Sequence, residues 1–346
     1  MSDTPGPNSV LVEAIDSLCA GSDLPADTAQ AVLGEIMEGR VSEVQTAGFL
    51  IALRSKGETA DEMAGLARAM RSLAASVTPT RRDLVDTAGT GGGRTTFNVS
   101  TTAALIAAGA GVGIAKHGNR SATGLSGSAC LLEALGIPID LAPAQIANDI
   151  DKIGFGFMFA PAHHAATRHV VPVRKALATR TVFNLLGPLT NPAGASRQVV
   201  GVSNPSALEV MARALALLGT DRSLVVGSDD GLDELSISAP STVWEVRDGA
   251  VSTWSVTPED VGLEPAAEDE VAGGDPQHNA AITRSILNGD KGPQRDLAVL
   301  NAGAAILVAG DGDDFAACVR AAEESIDSGA AKAIVERLAA PRGGRE

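Results

Sequence analysis

Apolar residues recur over residues 9–75 at the three- to four-residue spacing of amphipathic helices, and the pattern predicts four short helices. Two capping-box patterns, Ser/Thr-x-x-Gln/Glu at residues 42–45 and 59–62, predict where two of these helices begin. The stretch 49–53 is more apolar than a lone surface helix needs, which fits either an ordinary core or a subunit interface. We therefore predict a small all-helical N-terminal domain over residues 1–80.

From residue 84 the pattern changes to short apolar runs that alternate with glycine-rich loops and helical segments. The apolar runs predict strands at residues 84–85, 112–116, 199–202 and 224–227. The segments between them predict helices at residues 102–108, 126–135 and 207–218. Alternation of this kind predicts an α/β fold with a mainly parallel central sheet covered by helices, in a larger second domain over residues 81–346.

The last third of the chain adds a hairpin and further helices. Two apolar runs, 243–246 and 251–256, flank an Asp248-Gly249 turn and predict a β-hairpin. Residues 262–275 are acidic and rich in glycine, which predicts a loop, and Asp275-Pro276 then begins a helix. Two long Ala-rich helices are predicted at residues 295–309 and 313–338.

The composition limits the expected partners and compartment. The net charge of −15 argues against a nucleic-acid or anionic-membrane partner. Cys19, Cys130 and Cys318 are scattered and lack metal-binding spacing, so we expect reduced thiols. The N-terminus lacks the basic and apolar regions of a signal peptide, and no apolar run reaches transmembrane length. We therefore expect a cytoplasmic protein.

A glycine-rich loop, residues 86–101, lies between the first predicted strand of the second domain and the helix after it. Four glycines fall within five positions, followed by Asn98, Ser100 and Thr101. Backbone N–H groups beside a helix N-terminus favour a phosphate-like anion. The loop matches neither the dinucleotide-binding fingerprint, which needs glycine where Arg94 stands, nor the P-loop. Its hydroxyl and amide side chains still favour phosphate binding over a plain turn.

A second polar loop, residues 116–129, also follows a predicted strand and precedes a helix. It holds Lys116, Arg120 and several hydroxyls around three glycines. Because loops at the carboxyl ends of parallel strands converge on one crevice, we expect both loops to line the same site. Lys116 and Arg120 then offer an ammonium and a guanidinium to a polyphosphate.

Two further stretches carry charged groups. Asp233 and Glu234 follow the fourth predicted strand, and opposite two phosphate-binding loops they suit Mg²⁺, which binds few protein carboxylates plus substrate phosphates. His163 and His164 lack a third spaced ligand, so hydrogen-bonded loop histidines are favoured over a metal site. Arg174 is a candidate clamp for a carboxylated substrate.

Together these stretches resemble the anthranilate phosphoribosyltransferase family over nearly the whole chain. The motifs that carry the resemblance are Gly-Thr-Gly-Gly, Asn-x-Ser-Thr, Lys-His-Gly-Asn-Arg, Gly-Ser-Ala, Phe-Asn-x-Leu-Gly-Pro and Asp-Glu, at residues 89–92, 98–101, 116–120, 127–129, 183–188 and 233–234. Each motif alone is weak, but their common order along one chain is highly specific.

The resemblance implies an enzyme of tryptophan biosynthesis that transfers the phosphoribosyl group of phosphoribosyl pyrophosphate to the amine of anthranilate. It implies a nucleoside phosphorylase/phosphoribosyltransferase class fold, a helical domain completed by a segment near residues 165–180, and a homodimer formed through that domain. Phosphoribosyl pyrophosphate would be bound by Gly89, Gly92, Gly93, Thr96, Asn98, Val99, Ser100, Thr101, Lys116 and Ser128. Anthranilate would be bound by Gly89, Asn119, Arg174, His117, His164 and Pro188. Mg²⁺, two ions per subunit, would be held by Ser100, Asp233 and Glu234.

Three positions depart from the family pattern. Gly93 stands where the family commonly has Asp, in a loop that is one residue shorter. Leu125 and Cys130 replace a usual Lys and a usual Asp. We expect Arg94 to supply a phosphate contact in place of what the shorter loop lacks.

Two other functions are compatible with this fold class. A pyrimidine nucleoside phosphorylase binds inorganic phosphate and a nucleoside, and the Asp233-Glu234 pair and Arg174 disfavour it. A non-enzymatic nucleic-acid-binding relative is disfavoured by the net charge of −15.

No residue is assigned as a catalytic acid or base, because an aryl amine is a neutral nucleophile and positioning supplies much of the acceleration.

Overall fold

Four helices form the N-terminal part of the computed structural model, which describes residues 6–120, 125–310 and 312–341. They are α1 (Ser9–Cys19), α2 (Ala26–Met37), α3 (Glu43–Lys56) and α4 (Ala60–Ser72). Ser42 accepts a hydrogen bond from Gln45 N at the start of α3, and Thr59 and Glu62 form a complete capping box at the start of α4. These bonds satisfy N–H groups that the first turn of a helix leaves unpaired, so the predicted helix starts are confirmed.

The apolar stretch of α3 lies mainly in the core. Phe49, Leu50 and Leu53 are fully buried within the chain, whereas Ile51 is 38% exposed. The same apolar cluster extends to Met211 and to the sheet, so the helical domain packs directly onto the larger domain. An ordinary core therefore accounts for most of this stretch, and Ile51 faces outward.

The larger domain is built on a seven-stranded, mainly parallel sheet, as predicted. Its strands are β1 (Leu84–Asp86), β2 (Gly113–Gly118), β3 (Phe155–Phe159), β4 (Arg197–Gly201), β5 (Arg222–Ser228), β6 (Ser241–Arg247) and β7 (Ala250–Val256). The order across the sheet is β3-β2-β1-β4-β5-β6-β7, with β1 to β5 parallel and β6 and β7 antiparallel. The predicted hairpin is confirmed: β6 and β7 join at Asp248 and Gly249, which have φ angles of 49° and 79°.

The remaining helices cover both faces of the sheet. They are α5 (Val99–Gly109), α6 (Ser128–Ala134), α7 (Pro143–Ile153), α8 (Ala160–His163), α9 (Val171–Leu177), α10 (Phe183–Leu186), α11 (Leu208–Leu217), α12 (Pro276–Leu287), α13 (Pro293–Ala309), α14 (Phe315–Asp327) and α15 (Ala330–Ala339). The helices α5 and α13 to α15 pack together on one face, and α11 packs on the other face against α4. None of the helices in the described residues is long and apolar enough to cross a membrane.

Two predictions about elements are wrong. The sequence predicts one helix over residues 313–338, but the chain turns at Gly329, where φ is 79°, and forms α14 and α15 instead. The strand β3 was not predicted from the sequence. Its Phe-Gly-Phe-Met-Phe sequence is almost wholly buried at the sheet edge under α7. A fully buried run has no polar alternation, so it lacks the usual sign of a strand.

Candidate active site

The site lies where the order of the strands reverses. From β1 the chain crosses to β2 and β3 on one side, then returns to β4 on the other side of β1. Loops at the carboxyl ends of these strands leave a crevice at such a reversal. A cavity of about 460 Å³ occupies this place, lined by the loops after β1, β2 and β5 and by residues of the segment 174–188. We call this segment, whose helix α9 packs on α3, the hinge segment.

Most of the residues expected to bind ligands line this cavity. The cavity lining includes Gly89, Gly92, Asn98, Ser100, Lys116, His117, Asn119, Ser128, Arg174, Pro188, Asp233 and Glu234. Five other expected residues are not part of the lining: Gly93, Thr96, Val99, Thr101 and His164. Residues expected to bind a polyphosphate and residues expected to bind a carboxylate, inferred from separate motifs, thus line one cavity. The segment 121–124 of the second polar loop lies outside the described residues.

Lys116 is a buried cation of the cavity lining, among the residues expected to bind a polyphosphate. Its side chain is 1% exposed, and Nζ donates to the carbonyl and hydroxyl oxygens of Thr87 at 3.0 and 2.9 Å. Ser100 Oγ lies 3.5 Å from the same Nζ. Burial lowers the pKa of Lys116 to about 8, and the carboxylates of Asp86 and Glu234 oppose that change. The ammonium therefore keeps its proton at neutral pH and can attract an anion.

Asp233 and Glu234 form a half-buried pair of carboxyl groups on the loop after β5. Burial raises the pKa of Asp233, partly offset by backbone N–H groups of the glycine loop and by Arg180. Burial and the neighbouring Asp233 charge raise the pKa of Glu234 well above its ordinary value. Two carboxylates that repel each other in a half-buried site are stabilised by a cation between them. Together with Ser100 they give the hard oxygen donors that Mg²⁺ prefers.

Two residues that the sequence analysis missed hold this acidic loop in place. Asn301, in α13, accepts from Leu235 N at 3.1 Å and donates to Leu235 O at 2.9 Å. Gly201, at the end of β4, lies under the loop so closely that an added Cβ would be 1.6 Å from Asp233 O. A lone polar residue in an apolar helix and a glycine at a strand end were the available signals.

Arg94 does not line the cavity. Its Nη2 donates to Asp230 Oδ2 at 2.8 Å, and its Nη1 donates to the carbonyl oxygen of Glu268 at 2.9 Å. Asp230 is 3% exposed and also accepts from the hydroxyls of Ser228 and Ser236. Arg94 therefore fastens the glycine loop to the acidic loop and does not reach the cavity, where its phosphate contact was expected.

The departure at Gly93 has a steric reason. An added Cβ would lie 2.5 Å from Asp233 Oδ1 and 2.9 Å from the carbonyl oxygen of Gly231. In the shorter loop, only glycine lets the backbone pass this close to the acidic pair. Leu125 is 69% exposed, and nothing in the structure explains it. Cys130 Sγ lies 3.9 Å from Nη1 of Arg120, and the guanidinium of Arg120 forms a bidentate salt bridge with Glu133.

The second half of the cavity combines a cation with neutral rings. The guanidinium of Arg174 lies 5.4 Å from the centre of the Phe183 ring, and no salt bridge within the described residues engages it. His117 Nδ1 lies 3.1 Å from Gly187 O, and the ring centroids of His117 and His164 are 5.1 Å apart. Burial lowers the pKa of His117 to about 3 and that of His164 to about 4, so both rings are neutral at pH 7.

His163 of the histidine pair 163–164 lies within hydrogen-bond distance of the backbone. His163 Nδ1 lies 2.7 Å from the carbonyl oxygen of Ala75, as expected of a hydrogen-bonded loop histidine. In the described part of the chain, no group of three or more His, Cys, Asp or Glu side chains is arranged for a metal ion.

Comparison with known proteins supports the resemblance. Residues 12–74 match the family model described as "Glycosyl transferase family, helical bundle domain", and residues 81–332 match "Glycosyl transferase family, a/b domain". The anthranilate phosphoribosyltransferase of Rubrobacter xylanophilus is 52% identical, with 95% of this chain and 96% of the relative covered. That of Symbiobacterium thermophilum is 51% identical, with 92% and 94% covered.

Solved structures agree with these relatives in fold. The crystal structure of anthranilate phosphoribosyltransferase from Thermus thermophilus has a TM-score of 0.89 at 45% identity, covering 94% of this chain and 98% of that one. The enzyme from Saccharomyces cerevisiae in complex with phosphoribosyl pyrophosphate and Mg has a TM-score of 0.87 at 28% identity, covering 96% and 97%. The yeast enzyme has also been solved with 4-fluoroanthranilate.

Proposed function

The chain belongs to the anthranilate phosphoribosyltransferase family, and on that premise we propose that it transfers the phosphoribosyl group of 5-phosphoribosyl 1-pyrophosphate to the amine of anthranilate. The products are N-(5-phosphoribosyl)anthranilate and pyrophosphate, in tryptophan biosynthesis. The observation that carries the proposal is a single cavity with two chemically different halves. One half offers glycine N–H groups, Lys116 and paired carboxylates, and the other offers Arg174 beside neutral rings.

We assign the phosphate half to phosphoribosyl pyrophosphate. The N–H groups of Gly91 and Gly93 already donate to Asp233, so the anion would be bound at Gly89, Gly92 and the N-terminus of α5, which favours negative charge. Lys116, with its buried ammonium, lies where it can stabilise negative charge on the departing pyrophosphate. Asn98 is held between Ser126 and Asn279, so its amide is fixed at the cavity wall. These groups act on the charge that develops as the bond to the ribose C1 breaks.

The acidic pair fits Mg²⁺. The yeast relative was solved with phosphoribosyl pyrophosphate and Mg, and Ser100, Asp233 and Glu234 provide the hard oxygen donors expected for that ion here. We propose two ions per subunit, since one pair of adjacent carboxylates and a diphosphate offer more donors than one ion needs. Bound Mg²⁺ supplies Lewis-acid stabilisation of the leaving pyrophosphate.

We assign the other half to anthranilate. Arg174 is positioned to pair with the carboxylate of anthranilate, and Asn119 lies on the same cavity wall. His117, His164 and Pro188 provide a largely uncharged surround for the aromatic ring. The amine then attacks C1 from the face opposite the pyrophosphate, with inversion. The bond from C1 to the pyrophosphate oxygen breaks, pyrophosphate leaves with the electron pair, and the nitrogen releases one proton to solvent. Because the amine is neutral, orientation and leaving-group stabilisation are the main sources of acceleration.

We also propose a homodimer formed through the helical domain. Val12, Val44 and Ile51 are 41%, 82% and 38% exposed on α1 and α3, and Ile51 lines a groove together with Ile15 and Leu18. Exposed apolar residues on adjacent helices are typical of a subunit interface. Light scattering should give a dimer mass for the native chain and a monomer mass after Val44→Asp plus Ile51→Asp. Leu217→Asp, at an exposed apolar residue of α11, should leave the dimer intact.

The transferase proposal is tested by following anthranilate fluorescence in a mixture of protein, phosphoribosyl pyrophosphate and Mg²⁺. We expect a loss of fluorescence that stops when any one component is omitted. Arg174→Ala should raise the KM for anthranilate by about tenfold or more, since a hydrogen-bonded charge pair contributes about 1.5–3 kcal/mol. No fluorescence loss with folded protein would contradict the proposal.

A further inference from the structure

Arg180 is a cavity residue to which neither the family motifs nor the charged stretches of the sequence gave a role. It lies between α9 and α10 in the hinge segment. Its main chain is anchored from the helical domain, because Arg54 Nη1 in α3 donates to Arg180 O at 2.7 Å and also bonds the Thr179 hydroxyl. The backbone of this residue is therefore fixed, while its side chain extends into the cavity.

The Arg180 guanidinium lies directly on the glycine loop. An added Cβ on Gly92 would be 2.5 Å from Nη1 and 3.1 Å from Nη2. The loop holds it only weakly, since its one hydrogen bond among the described residues runs from Nη2 to Gly91 O at 3.4 Å. A guanidinium has five N–H donors, so most of its donor capacity remains available at this place.

The surroundings of Arg180 leave its charge available to an anion. No carboxylate in the described residues forms a salt bridge with Arg180. Planar guanidinium groups bind phosphate oxygens in pairs, and Arg180 lies on the loop that we assign to the same ligand.

We propose that Arg180 is a binding residue for the pyrophosphate group of phosphoribosyl pyrophosphate, with its guanidinium covering the phosphate from the hinge side above Gly91 and Gly92. This inference rests on the proposed transferase function, which assigns the glycine loop to that substrate. The alternative anion in the cavity is the carboxylate of anthranilate. It is disfavoured because Arg180 lies against the glycine loop, whereas Arg174 lies against Phe183 in the other half.

The anchoring by Arg54 gives this contact a second consequence. Because the same residue holds the backbone of Arg180 to α3, a phosphate bound by Arg180 connects the glycine loop to the helical domain. Arg54→Ala keeps the guanidinium of Arg180 but releases its backbone. We expect Arg54→Ala to weaken pyrophosphate binding less than Arg180→Ala does, and without a change in the KM for anthranilate.

The test compares Arg180→Ala and Arg180→Lys with the native enzyme and with Lys175→Ala. Lys175 is exposed in α9, outside the cavity lining, and its replacement removes the same charge from the same segment. We expect Arg180→Ala to raise the KM for phosphoribosyl pyrophosphate by about tenfold to a hundredfold and to leave the KM for anthranilate within about twofold. Lysine should restore part of the affinity, because it keeps the charge but loses the planar fork.

Calorimetric titration of Mg²⁺ and inorganic pyrophosphate into the same proteins separates the two hypotheses. If the native protein binds pyrophosphate and Arg180→Ala binds it at least about tenfold more weakly, the inference stands even where the acceptor assignment fails. An unchanged pyrophosphate affinity in an active enzyme would overturn the inference and leave the transferase function intact. A raised KM for anthranilate alone would reassign Arg180 to the carboxylate.

Discussion

Replacement of Gly201 by alanine is expected to disable the active site while most of the fold remains. An added Cβ at Gly201 lies 1.6 Å from Asp233 O and 2.7 Å from Asp233 C. Ordinary van der Waals contact begins at 3.4 Å, so the acidic loop or the end of β4 must move apart by about 1.8 Å. The clashing atoms belong to the backbone, and they cannot rotate away as a flexible side chain can.

The displacement acts on the two carboxylates that we assign to Mg²⁺. A misplacement of about 1 Å can cost about a hundredfold in rate, and overpacking in a well-packed region costs about 1–3 kcal/mol of stability. For Gly201→Ala we therefore expect kcat/KM for phosphoribosyl pyrophosphate to fall by about a hundredfold or more. The Mg²⁺ concentration for half-maximal rate should rise at the same time.

Steady-state kinetics with each substrate and Mg²⁺ varied in turn, together with thermal unfolding, measures both effects. The matched control is Gly34→Ala in α2, where an added Cβ meets nothing within 4 Å. It should keep the native rates and gain a little stability, because alanine favours a helix more than glycine does. A Gly201→Ala enzyme with native kcat/KM and native Mg²⁺ dependence would refute the argument that this close approach fixes Asp233.

Three further predictions concern the metal pair, its support and the buried imidazoles. Asp233→Asn should raise the Mg²⁺ concentration needed for half-maximal rate by at least about tenfold, since it removes a charge-assisted ligand, and unchanged activation would contradict the assignment. Asn301→Leu should lower the free energy of unfolding by about 1–3 kcal/mol, because it leaves the buried N–H and C=O of Leu235 unpaired, and it should also weaken Mg²⁺ activation. His164 has a pKa lowered to about 4, so the unfolded chain takes up its proton first as the pH falls below about 6.5 and stability is lost. Urea unfolding at pH 7 and pH 5 measures the fall in the free energy of unfolding between these pH values. This fall should be about 2 kcal/mol smaller in His164→Gln than in the native chain, and equal falls would argue against a buried neutral ring.

The features that the sequence predicted are those whose chemistry lies in contiguous segments. The glycine loop and the Asp233-Glu234 pair each follow a strand, Lys116 lies near the carboxyl end of β2, and parallel strands bring their carboxyl ends to one edge. The alternation of short apolar runs with loops and helical segments therefore predicted both the fold class and the position of these loops at one site. The helix starts were equally local, because a capping box is contained within four residues.

The features that it missed depend on residues distant in the chain. Arg180 and Asn301 reach the cavity from a hinge segment and from an apolar helix, and only the packing of these elements brings them there. Gly201 has no special motif of its own, and its necessity arises from Asp233 crossing above it. Arg94 was expected at the phosphate because nothing local indicated that Asp230 would be buried beside it.

Product analysis with two competing substrate pairs tests the central claim most directly. Purified protein is incubated with anthranilate, phosphoribosyl pyrophosphate and Mg²⁺, and separately with pyrimidine nucleosides and inorganic phosphate, and the products are identified by mass spectrometry. We predict N-(5-phosphoribosyl)anthranilate and pyrophosphate in equal amounts from the first mixture and no reaction in the second. Phosphorolysis of a nucleoside, with no product from anthranilate, would contradict the account.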